Sequence, residues 1–323
     1  MKNKALVVLF LTIFLDLMGF GLIIPILPIY AKTLGATDAM VGLLGASFSI
    51  MQFIFASFWG GLSDRYGRRP IMLISISIMI VAYILFANAT VLWLLFATRL
   101  LKGFGAANLS VAQAYISDVV PVEKRTKAFG IIGAAFGLGF IFGPSIGGIV
   151  NEFYGVSGVG YFAAALGALN LVLAWFFLDE TLKVKSTTVQ LFPNPFKDII
   201  QFRAIPEVNA LFTINFVYVL GFSMMQITST LLWAEHFGLS ELHIGYTFAY
   251  IGVLAVVIQG GLIGYFNTWF GEKNLLFFGT ILVSMGLFSM PFVPTDKFYL
   301  ELVSMTLLSF GNALLTPTVS TLL

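Results

Sequence analysis

From Ala5 to Tyr30 the chain is apolar apart from one charge, Asp16, near the middle of the run. A helix crosses a bilayer core with about 20 such residues. Lipid admits only segments that satisfy their own backbone hydrogen bonds, so the run predicts a spanning helix. Nine more runs of this kind follow, at roughly 41–62, 71–89, 92–115, 126–150, 158–178, 208–231, 244–266, 274–294 and 299–321. The expected class is an all-α polytopic membrane protein of about ten spans. Composition agrees, with 59% hydrophobic and 10% charged residues, where a soluble domain carries about 25% charged. Cysteine is absent, which removes disulfide and thiol chemistry. The first run is too long for a signal-peptide core, so no cleaved leader is expected.

Connections are short except at 179–207, which holds Asp179, Glu180, Lys183, Lys185, Pro193, Pro195 and Pro206, with the linker proper at 182–206. It predicts a linker between a first unit at 1–181 and a second at 207–323. Thirteen of the 17 Lys and Arg residues fall on one set of connections, and only Lys32 and Lys297 on the other. The positive-inside rule then puts the N-terminus and the linker in the cytoplasm, in a plasma or inner membrane. The Gly60…Gly67 spacing after the second span returns as Gly264…Gly271 after the eighth. Repeated halves joined by a linker are a common transporter plan.

A carboxylate inside a membrane costs at least a few kcal/mol. It is kept when a partner holds it in a static pair or when it exchanges a proton. At 1.5 Å per residue, Asp16 lies about 16 Å from one end of its helix. By the same measure, Arg99 and Lys102 lie about 11 and about 15 Å from the opposite end of the fourth. All three come to one depth, so Asp16, Arg99 and Lys102 are expected to be neighbours.

Two further patterns carry structure. Gly60-x3-Asp64-Arg65-x-Gly67-Arg68-Arg69 makes a sharp basic turn, in which Asp64 can pair with Arg65, Arg68 or a facing helix N-terminus. Gly130-x8-Gly139-x3-Gly143-Pro144-x2-Gly147-Gly148 runs along the fifth span. Small residues at spacings of three and four let helix backbones touch, and Pro144 removes a backbone donor and bends the helix.

The turn resembles the signature loop of the major facilitator superfamily, and Arg99-x-x-Lys102-Gly103 resembles its fourth-helix motif. There Gln is more usual at the position of Lys102, so this chain carries an extra positive charge. The fifth-span pattern resembles the signature of the family's antiporters. Asp16-x2-Gly19-x5-Pro25-x2-Pro28 and Asp118-x6-Arg125-x4-Gly130 resemble motifs of its drug:proton antiporters with twelve spans. Phe14-Leu15-Asp16-Leu17-Met18-Gly19 is closest to the tetracycline-efflux branch, from which Ala82 before Tyr83 and Ala255 depart. The resemblance implies two pseudo-symmetric bundles that export small hydrophobic or amphiphilic compounds in exchange for protons. It implies Asp16 as proton carrier with Arg99 and Lys102. It also implies a gate of Gly60, Asp64, Arg65, Gly67, Arg68, Arg69, Asp118 and Arg125. Against twelve spans, a chain stopping at Leu323 reads as shortened, with four helices in the second bundle and no eleventh helix for Asp64 to meet.

The intramembrane amides Gln52, Asn108, Asn215, Gln226, Gln259 and Asn312 are candidates to line a substrate cavity, although such residues also bond neighbouring helices. His236 and His243 have no ligand cluster around them in sequence, so no metal is expected. No nucleotide loop and no nucleophile–base set occurs, so an enzyme is not expected. The proton is the only coupling ion expected. A small-molecule substrate and the lipid bilayer are the expected partners, without nucleic acid, for a monomer. The competing expectations are a partial relative that inserts without transporting, or efflux of another solute such as a sugar or metabolite.

Overall fold

The computed structural model describes residues 2–182, 206–258 and 262–322. The chain forms two compact units, Met1–Asn194 and Pro195–Leu323. The 183–205 part of the linker and Gln259 lie outside the described residues.

The first unit contains α1 (Lys2–Ile23), α2 (Leu27–Thr33), α3 (Asp38–Tyr66), α4 (Arg68–Ala87), α5 (Leu92–Phe104), α6 (Asn108–Val119) and α7 (Val122–Phe177). The second contains α8 (Pro206–Glu235), α9 (Glu241–Val257), α10 (Ile263–Ser289), a 3-10 turn at Met290–Phe292 and α11 (Phe298–Leu322). Among the described residues seven segments are long and apolar enough to cross a membrane. Gly155 (φ 65°) breaks α7 and Gly271 (φ 73°) breaks α10. Counting α5 with α6, and α9 with the start of α10, the helices among the described residues fall on the ten expected runs. This is a multi-pass membrane protein.

Two expected spans are not continuous. The first is interrupted at Ile24–Ile26, between α1 and α2. The fourth ends at Phe104 and restarts at Asn108. Buried backbone must find partners, and this break does. The Trp59 indole donates to the Phe104 carbonyl at 2.5 Å, and the Ser75 hydroxyl donates to the Gly105 carbonyl. Before it, α5 ends two residues after Lys102.

Gly67 ends α3 and begins α4 with φ 119°, a conformation natural only to glycine. Gly271, its counterpart in the repeated spacing, also has positive φ. The first unit is closed by α7, whose first half packs on α1 and whose second half packs on α4. In the second unit α10 and α11 approach backbone to backbone at Gly279, Gly286 and Gly311.

Candidate functional site

The glycine seam positions the charged residues. A Cβ on Gly139 would stand 2.8 Å from the Leu17 Cβ, and one on Gly143 would stand 2.7 Å from the Gly21 Cα. Gly147 meets the Leu22 backbone as closely. Numbers rise together along both helices, so α1 and the first half of α7 run parallel. Pro144 lies inside α7, where its ring packs against Gly21, and Gly148 is buried. The side-chain surroundings of Gly130 and Arg125 lie outside the described residues. The seam fixes α1 at Leu17 and Gly21, the residues flanking the Asp16 turn.

Asp16 is half-buried and accepts a hydrogen bond from Asn108 Nδ2 at 3.3 Å. Asn108 is the first residue of α6, so the carboxylate also faces the positive end of a helix dipole. Among the described residues no ion pair joins Asp16 to Arg99 or Lys102.

Lys102 instead donates to the Tyr83 hydroxyl at 2.9 Å. Its ammonium lies 4.3 Å from the Tyr83 ring centre and 4.8 Å from that of Phe20. Arg99 lies 5.0 Å over Phe48 and 5.9 Å over Phe20, and its Nε has no partner. These cations are 6% and 3% exposed, for Arg99 and Lys102 respectively. Aromatic faces hold a desolvated cation by their quadrupole, more weakly than a carboxylate would. Gly19 belongs to this arrangement: a Cβ there would stand 2.6 Å from the Tyr83 hydroxyl.

A second cluster forms at the α3–α4 turn. Arg68 pairs with Asp64 at 2.5 Å, donates from Nε to Asp118 at 3.0 Å and from Nη1 to Ser63 at 2.7 Å. Arg65 does not hold Asp64; it lies over the Tyr66 ring at 5.5 Å. Glu180, read in the sequence only as part of the linker, accepts from the backbone N–H of Arg68 at 3.0 Å and of Arg69 at 3.2 Å. It caps α4 as a charge at a helix N-terminus should. Its carboxylate fills the space that any side chain at Gly67 would need. Thr181 donates to Asp118 at 3.1 Å, and Arg69 donates to the Trp175 carbonyl at 2.5 Å. A Cβ on Gly60 would meet nothing within 4 Å.

Of the cavity amides, Asn108 joins Asp16, and Asn312 bonds Tyr218 within the second unit. Gln52 and Gln226 are half-buried, and the side chain of Asn215 lies outside the described residues. Among the described residues no three His, Cys, Asp or Glu gather as a metal site.

The sequence profile of the Major Facilitator Superfamily matches residues 9–323. The chain belongs to this superfamily. It is 33% identical to the class C tetracycline resistance protein of Escherichia coli, over 88% of this chain and 73% of that one. With the class B tetracycline resistance protein of Escherichia coli it shares 33% identity, over 91% of this chain and 74% of that one. Multidrug resistance protein 2 of Bacillus subtilis is 31% identical, over 85% of this chain and 70% of that one. The crystal structure of the human organic anion transporter MFSD10 has the same fold, with TM-score 0.76 and 24% identity over 99% of this chain and 85% of that one.

Proposed function

We propose that this superfamily member exports small hydrophobic or amphiphilic compounds, tetracycline-like or more varied, in exchange for protons by alternating access. The observation that carries the reading is the disposition of Asp16. Its carboxylate is held by a neutral amide, while Lys102 is held on Tyr83. A base that closes on a buried carboxylate favours the ionised form, and one that withdraws favours the protonated form. In this reading a shift of α5 against α1 that carries Lys102 from Tyr83 to Asp16 exchanges the Asp16 proton for an ion pair. The glycine seam holds α1 on α7, so that in this reading α5 moves against a fixed α1. If the two protonation states favour different conformations, a proton gradient drives transport.

The substrate class rests on the relatives, which are tetracycline and multidrug resistance proteins. The basic turn and the Lys and Arg distribution support a cytoplasmic N-terminus and linker. In this reading Asp64, Arg68, Asp118 and Glu180 hold the cytoplasmic ends of α3, α4 and the linker together. Purified chain in proteoliposomes tests the proposal, with tetracycline and a lipophilic cationic dye as substrates under an imposed proton gradient. Substrate movement that collapses with a protonophore is expected. Movement indifferent to the gradient would exclude proton coupling.

A further inference from the structure

The second unit contains a buried acid that the proton-exchange site does not use. Glu301 lies in the first turn of α11 and is 0% exposed. The Trp233 indole of α8 donates to its Oε1 at 2.8 Å, and its Oε2 has no partner. Trp233 is itself 0% exposed, and its far side packs edge-on to Phe248 of α9 at 5.2 Å between ring centres.

A buried carboxylate with one donor and no counter-ion is a poor place for a full charge. The groups around it offer little else. His236 stands just past α8, and its Nε2 is engaged with the Val293 carbonyl at 2.9 Å. Glu235 ends α8, Glu241 and His243 begin α9, and Asp296 and Lys297 precede α11; among the described residues none forms an ion pair with Glu301. The charges of α10, Glu272 and Lys273, follow its break at Gly271, far along the helix from Ser289. Ser289 and Ser304 bond each other and leave Oε2 alone.

We infer that Glu301 is a second proton-binding site, separate from Asp16. At 0% exposure it has room for no larger ligand than a proton. The protonated acid keeps the Trp233 bond through Oε1 and carries its proton on Oε2. Glu301 is one turn from the Val293–Lys297 loop, so parting the ends of α8 and α11 breaks the Trp233 bond and admits water. The freed carboxylic acid then passes its proton from Oε2 to that water, and the carboxylate left behind is stabilised by the N-terminal dipole of α11. Proton binding therefore clamps α8 to α11, and proton release unclamps them.

Infrared difference spectra of the full chain in lipid nanodiscs, taken from about pH 5 to about pH 9, test this without any transported compound. Wild type should lose a protonated-carboxyl C=O band as pH rises. Glu301→Gln should lack that band and Asp16→Asn should retain it. Trp233→Phe, which removes the donor and leaves the acid, should keep the band at a shifted frequency, and it serves if Glu301→Gln does not fold. A band equally present in Glu301→Gln, unmoved in Trp233→Phe, or constant across the pH range would overturn the assignment.

Discussion

Lys102 donates to the Tyr83 hydroxyl at 2.9 Å instead of pairing with Asp16, and Gly19 leaves the space in which that hydroxyl sits. Gly19→Ala should therefore cripple efflux by driving Tyr83 off Lys102. Tyr83→Phe removes the clashing atom, so the double variant should recover to the level of Tyr83→Phe alone. That level should be on the order of tenfold below wild type, since a hydrogen bond to a charged group contributes about 1.5–3 kcal/mol. Initial efflux rates of the three variants check both statements. A double variant as inactive as Gly19→Ala would show that the clash lies elsewhere.

The glycine seam gives a stability prediction with an internal control. At Gly143 the crowding atoms are backbone, which cannot swing aside, so Gly143→Ala should destabilise by about 1–3 kcal/mol. Gly42 has nothing within 4 Å of a built Cβ, so Gly42→Ala should be neutral or slightly stabilising. Thermal unfolding in detergent distinguishes them, and equal midpoints would refute the seam's role.

The apolar runs were legible because lipid imposes length and composition directly. The common depth of Asp16, Arg99 and Lys102 was legible because helix rise is constant. Which atoms touch was not. The side-chain choice of Tyr83 over Asp16 as partner to Lys102 is not written in helix rise, and no proline announces the break at Gly105–Ala107. Asn108 read as one of six amides until the break put it at a helix start facing Asp16. Glu180 looked like a linker charge because its partners, the N–H groups of Arg68 and Arg69, are more than a hundred residues away in sequence. Glu301 stands near a span end, where an exposed acid is ordinary, and only its burial against Trp233 distinguishes it.

At the turn, Arg68 bridges Asp64 and Asp118 on separate helices. Arg68→Ala and Asp118→Asn should each destabilise by about 1–3 kcal/mol, and the double variant by less than their sum, because both remove the same bond. Strict additivity in a double-mutant cycle would mean that the contact contributes nothing.

Orientation is tested by reporters. Fusions in the 183–205 linker should report cytoplasm, and fusions near Asp38 or Glu241 the outside. An external linker would invert the arrangement and put the Asp64–Arg68–Asp118 cluster on the other face.

The most direct test replaces the proposed proton carrier. Asp16→Asn keeps the shape, keeps a partner for Asn108 and fixes the neutral state. In proteoliposomes with matched protein content, this variant should bind substrate yet show no efflux driven by a proton gradient. Gradient-driven efflux at the wild-type rate from well-folded Asp16→Asn protein would contradict the account.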